Sequence, residues 1–158
     1  MNVLIFGLGL HGGGYQAALY YLSKGDSVKV TDLQSAKELG SPIDTLRDLG
    51  ASFTLQEHKI EDFIWADIVI KNPAIPPTHP LLQFAKHISS DIIELFTFAQ
   101  NNSHIRLIAI TGTKGKSSLT YEVYHHLLFQ QKKAFMCGNI GISAFTILES
   151  LENSDSEE

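Results

Sequence analysis

Val3-Leu4-Ile5-Phe6-Gly7-Leu8-Gly9-Leu10-His11-Gly12 decides the fold. Val3 to Phe6 is an apolar run without polar alternation, the pattern of a strand buried on both faces. A G-x-G-x-x-G follows at Gly7, Gly9 and Gly12, and then Tyr15, Ala18, Leu19 and Leu22 recur at helical spacing. Glycines in a strand-to-helix turn let a phosphate approach the backbone N–H groups at the helix N-terminus. Asp32 stands at the end of the next strand, Ser27 to Thr31, about 20 residues on, where this fingerprint places an acid. The pattern predicts a nucleotide-type ligand without naming it: NAD and a uridine diphosphate exploit the same dipoles. His11 occupies a variable loop position that can touch that ligand.

Outward from this loop, strands and helices alternate. Ile43 to Leu49 reads as a helix closed by Gly50, Ala51 to Leu55 as a strand, Glu61 to Ala66 as a short helix and Asp67 to Lys71 as a strand. Asn72-Pro73 and Pro76-Pro77 force a loop, and Pro80 starts a helical turn where its missing N–H costs nothing. This β-α-β-α-β-α-β order predicts an α/β fold, a Rossmann-like parallel sheet with helices on its faces.

A second glycine-rich turn lies at Thr111-Gly112-Thr113-Lys114-Gly115-Lys116-Ser117-Ser118, after an apolar run from Ile105 to Ile110 that reads as a strand. Gly115-Lys116-Ser117 match the end of a P-loop, but the first glycine of that motif falls on Ile110. The chemistry fits a polyphosphate: N–H groups cradle it, Lys116 reaches its outer phosphates, and the Ser117 hydroxyl ligates Mg²⁺. Lys114 reads as a solvated charge. Leu119, Val123 and Leu127, with Tyr124 and Leu128, form one apolar helical face. Ala134 to Cys137 reads as a strand, Gly138-Asn139-Ile140-Gly141 as its terminal turn, and Ile142 to Leu151 as a helix. Residues 1–92 are thus expected to form one domain and 93–158 the beginning of a P-loop domain. Two strands cannot build such a sheet, so the second unit reads as truncated.

The net charge of −5 and the lack of a basic cluster beyond Lys132-Lys133 exclude a phosphate-backbone binder. No run is long enough to span a bilayer, and the N-terminus lacks the basic region and cleavage site of a signal peptide. The single Cys137 rules out an internal disulfide and suits a reducing cytoplasm. It is read as inert within a buried strand, and Trp65 as a core or core-edge residue. His125-His126 are adjacent and so do not share a helix face, which argues against a metal pair. The tail from Glu149 to Glu158 is acidic and is expected to end in disorder.

The loop from Thr111 to Ser118 resembles the ATP loop of the Mur ligases, which lack the first glycine of the motif. The resemblance covers essentially the whole chain. It also rests on the Gly-Leu-Gly-Leu-x-Gly opening, Asp32, Asn72-Pro73-Ala74-Ile75 with His79-Pro80, Ile93-Glu94-Leu95-Phe96, and Gly138-Asn139-Ile140-Gly141. It implies an ATP- and Mg²⁺-dependent ligase of peptidoglycan precursor synthesis, hence of cell-wall biogenesis, shape and division. The implied substrates are UDP-N-acetylmuramoyl-L-alanine and D-glutamate, joined through an acyl phosphate. Gly7, Gly9, Leu10, His11, Gly12, Asp32, Leu33 and Gln34 would face the uridine diphosphate, and Asn72, Ala74 and Asn139 the diphosphate or sugar. Gly112, Thr113, Lys114, Gly115, Lys116, Ser117 and Ser118 would hold ATP, with Lys116 catalytic and Ser117 on the metal.

The chain departs from the family pattern at Lys114, where asparagine is common, and at Asn72 and Ala74, where serine and glycine are. The family's amino-acid-binding domain would lie beyond Glu158, so the isolated chain is expected not to ligate; a monomer is expected. A nicotinamide-dependent oxidoreductase and a non-catalytic nucleotide-binding module are the alternatives. The first leaves Gly112 to Ser118 without a purpose.

Overall fold

The computed structural model describes residues 1–9 and 13–155. Leu10, His11 and Gly12, named above as ligand residues, lie outside the described residues, as does the end of the acidic tail. Five parallel strands form one sheet: β1 (Asn2–Phe6), β2 (Ser27–Asp32), β3 (Ser52–Leu55), β4 (Ile68–Lys71) and β5 (Ile88–Ser89), in the order β3-β2-β1-β4-β5. The central position of β1 explains its composition. Val3, Leu4, Ile5 and Phe6 are all buried because helices cover both faces of the sheet.

Alternation along the strand sorts these side chains. Val3 and Ile5 join a core beneath α1 (Gly13–Ser23) and α3 (Ser41–Asp48), together with Ala17, Ala18, Ile43 and Leu46. Leu4 and Phe6 join a second core with Phe63 of α4 (Ile60–Trp65) and Leu82 of the 3-10 turn Pro80–Phe84. Trp65 packs at the edge of that second core. Two short elements escaped sequence reading: α2 (Ala36–Leu39), one turn held by a Ser35–Glu38 capping box, and the two-residue β5.

Beyond α5 (Asp91–Asn101) the structure departs from expectation. Ile105 to Ile110 is not a strand, and Leu107 and Ile108 are 39% and 60% exposed. Ala134 to Cys137 is not a strand either; only an isolated bridge joins Gly138 to Ile142. A strand exists through the hydrogen bonds of its neighbours, and here the described residues offer neither segment a neighbouring strand. For the same reason the apolar face expected on α6 (Lys116–Phe129) buries none of its residues.

The last helix, α7 (Ala144–Asp155), crosses the expected boundary and packs on α1 and α5. Phe145 and Leu148 are 1% exposed within the first core. Their burial is worth about 1.5–3 kcal/mol each. The accompanying Lys24–Glu152 ion pair at 2.7 Å is partly exposed and adds little, so apolar contact seats this helix. Among the described residues no helix is long and apolar enough to cross a membrane.

Candidate functional site

The chain leaves β1 through α1 on one face and reaches β4 from α4 on the other. The carboxyl ends of β1 and β4 are therefore the switch point of the sheet, where open α/β folds bind ligands. A narrow cleft lies there, lined by Gly13, Gly14, Lys71, Asn72, Asp91 and Phe145.

Asp32 builds the glycine loop. One carboxylate oxygen accepts from the Leu8 N–H at 2.8 Å, and the other from the Gln34 N–H at 2.9 Å. The residue is 8% exposed, so these charge-assisted bonds tie the loop to the end of β2 in a nearly dry setting. Leu33, between them, is 67% exposed and presents an apolar surface beside the loop. Gly7 and Gly9 have φ of +83° and +74°, values that side chains with a Cβ avoid. Space is equally restrictive: a Cβ on Gly9 would lie 2.3 Å from the Asn72 Nδ2, and one on Gly14 would lie 2.5 Å from the Gly7 carbonyl oxygen. The close helix-to-loop contact is thus made at Gly14, a residue the G-x-G-x-x-G spacing does not single out. The run Gly12-Gly13-Gly14 was its only signal.

Across the cleft, Asn72 accepts the Ala74 N–H on its side-chain oxygen at 3.0 Å and donates its own N–H to the Phe6 carbonyl at 3.0 Å. Lys71 donates to the carbonyls of Asn72 and Ile75 at 3.1 and 2.6 Å. At the rim of the second core, His58 and His79 each meet the Phe6 ring edge to face, at centroid distances of 4.8 and 5.0 Å. His58 Nδ1 lies 2.7 Å from the Thr31 hydroxyl, next to Asp32. Burial, and then the neighbouring His79, hold the His58 imidazole below its ordinary pKa. Neither Lys71 nor His58 was identified from sequence, and His79 only within the His79-Pro80 motif, because loop partners cannot be read from spacing.

Asn139 is exposed in the turn between Gly138 and Ile142, which leads directly into α7. Phe145, in the first turn of that helix, lines the cleft. Cys137 is half-buried beside the first core, and burial and then Asp91 raise its thiol pKa.

The P-loop residues Gly112, Thr113, Lys114, Gly115, Lys116, Ser117 and Ser118 are all exposed. Gly115, at φ +78°, makes the left-handed turn from which α6 starts. The Lys116 ammonium folds back on the Gly112 carbonyl at 2.6 Å. No acidic residue stands in the first turn of α6, so its unpaired N–H groups face solvent without a repelling charge.

No family model matches the chain. A relative from Borreliella burgdorferi strain ZS7, named UDP-N-acetylmuramoylalanine–D-glutamate ligase, is 40% identical over 154 residues, covering 96% of this chain and 33% of the relative. Nearly the whole chain is thus similar to part of a ligase of that name. A second relative of the same name, from Roseiflexus sp. strain RS-1, is 36% identical over 150 residues, covering 95% of this chain and 32% of the relative. The chain therefore spans about a third of the length of the curated relatives it matches. At 96% of its 158 residues, the homology to the Borreliella ligase takes in both the glycine-loop corner and the P-loop. Among solved structures, a murein peptide ligase from Psychrobacter arcticus superimposes with a TM-score of 0.49 at 19% identity, covering 83% of this chain and 27% of the other.

Proposed function

We propose that this chain carries the UDP-substrate corner and the ATP loop of an ATP-dependent ligase that joins D-glutamate to UDP-N-acetylmuramoyl-L-alanine. The observation that carries the reading is the pairing, within one homologous stretch, of an Asp32-pinned glycine loop with a P-loop. On this reading Gly9 and the start of α1 receive the diphosphate; Gly7 and Gly14 give their N–H groups to the Thr31 and Leu8 carbonyls at 2.9 and 3.2 Å and serve by keeping the backbone close. Leu33 offers its apolar surface to the base, with Gln34 beside it, and Asp32 acts by holding the loop. Asn72, Ala74 and Asn139 flank the diphosphate and sugar.

The second loop fits MgATP. Its αL glycine at the N-cap, the exposed first turn of α6 and the lack of a nearby acid make an anion cradle. Mg²⁺, when bound, offsets charge on the transferring phosphoryl group. Lys116 would exchange its Gly112 carbonyl for the outer phosphates, and Ser117 would turn its hydroxyl to the metal. The substrate's terminal carboxylate, once phosphorylated, becomes an acyl phosphate open to the amine of D-glutamate. The chain binds on this reading and does not ligate by itself. A reducing cytoplasm suits its single cysteine.

The test is calorimetric titration of the chain with UDP-N-acetylmuramoyl-L-alanine, and with NADH for comparison. Saturable binding of the UDP-sugar alone is the expected outcome. Binding of NADH alone would replace the ligase reading with an oxidoreductase.

A further inference from the structure

Lys71 is half-buried at the carboxyl end of β4, on the lip of the cleft. Its ammonium spends its bonds on backbone carbonyls, those of Asn72 and Ile75. Among the described residues no carboxylate pairs with it. Burying part of a cation without a counter-charge is costly, so an interior lysine normally has an acidic partner. Here the compensation is local and directional: two oriented carbonyls take charge-assisted hydrogen bonds.

The residues it grips are the two that close on the glycine loop. The Asn72 Cβ and the Ile75 Cδ1 lie 3.2 and 3.1 Å from where a Cβ of Gly7 would stand. The Asn72 amide nitrogen lies 2.3 Å from the corresponding point on Gly9. Ala74 and Ile75 complete the turn by donating their N–H groups to the side-chain oxygen and the carbonyl of Asn72, both at 3.0 Å. Lys71 therefore bridges the first and last residues of a four-residue turn whose inner surface is one wall of the cleft.

We propose that Lys71 is a positioning residue of the nucleotide cleft: it holds the 72–75 turn so that the Asn72 amide is set over the glycine loop before ligand arrives. This rests on the reading of the cleft as the UDP-substrate site. Preorganisation of this kind raises affinity by removing the ordering cost from the binding step.

The test uses the whole 158-residue chain with Lys71→Met, which keeps the apolar stem, and Lys71→Arg, which keeps the charge. The first readout needs no ligand. Amide hydrogen exchange at Ala74 and Ile75 should quicken roughly tenfold or more in Lys71→Met, while Val69 within β4 is unchanged. The second is calorimetric affinity for UDP-N-acetylmuramoyl-L-alanine. It should fall by roughly tenfold in Lys71→Met and recover in part in Lys71→Arg. Unchanged exchange in Lys71→Met would overturn the proposal. So would faster exchange with undiminished affinity. If the unsubstituted chain binds no UDP-sugar, the ligand reading falls, and exchange alone judges the clamp. Should Lys71→Met fail to fold, Lys71→Gln, which keeps a neutral donor, takes the same two readouts.

Discussion

The glycine loop at Gly7 and the glycine-rich turn at Gly112 share a logic: each delivers the chain to a helix N-terminus. They differ in what holds them. The first is walled by Asp32, Asn72 and the end of the sheet, with Leu8 and Asp32 only 2% and 8% exposed. Among the described residues the second rises from a segment with no strand partners, every residue from Thr111 to Leu119 is exposed, and the side-chain bonds that reach it are Lys116 on the Gly112 carbonyl and Thr120 on the Lys116 carbonyl. A loop becomes a shaped site when tertiary neighbours over-determine it. A motif without such neighbours adds little to stability.

That contrast can be broken first at Gly14. Gly14→Ala places a methyl group 2.5 to 2.8 Å from backbone atoms of Gly7 and Leu8, which cannot swing aside as a side chain would. A loss of about 3 kcal/mol or more is expected, read as a lowered thermal midpoint. A midpoint unchanged to within about 2 °C would show that α1 slides freely and that the corner is not over-determined.

Asp32→Ala should cost less, roughly 1–3 kcal/mol, because it leaves the buried Leu8 N–H without an acceptor. Urea unfolding measures the loss; a midpoint equal to that of the unsubstituted chain would mean that water replaces the carboxylate.

Lys116→Ala sharpens the other side of the comparison. Its single hydrogen bond is solvent-exposed, so stability should move by no more than about 0.5 kcal/mol in the same urea experiment. Binding of MgATP, followed by titration, should be lost. A large loss of stability would show that the phosphate loop is packed after all.

Legibility followed the same division. The apolar run Val3 to Phe6, the glycines after it and Asp32 announced the sheet and its glycine loop, because burial on both faces and a positive φ leave marks on residue type. The Ile105 to Ile110 run left the same mark but is not a strand. Apolar composition states that a segment would be buried in a sheet, and only neighbouring strands can make it one.

The sequence by itself determined the alternation of the four longer strands of the first ninety residues with their covering helices, and the place of the glycine loop, since these rest on local pattern and residue type. The tertiary structure alone decided that Asp32 spends its carboxylate on backbone N–H groups, that Gly14 makes the tight helix contact, and that Lys71 grips the 72–75 turn. It also decided that α7 returns to the first core. Each of these depends on which distant groups meet, and a hydrogen bond or a packed methyl group is a property of that meeting and of neither residue alone.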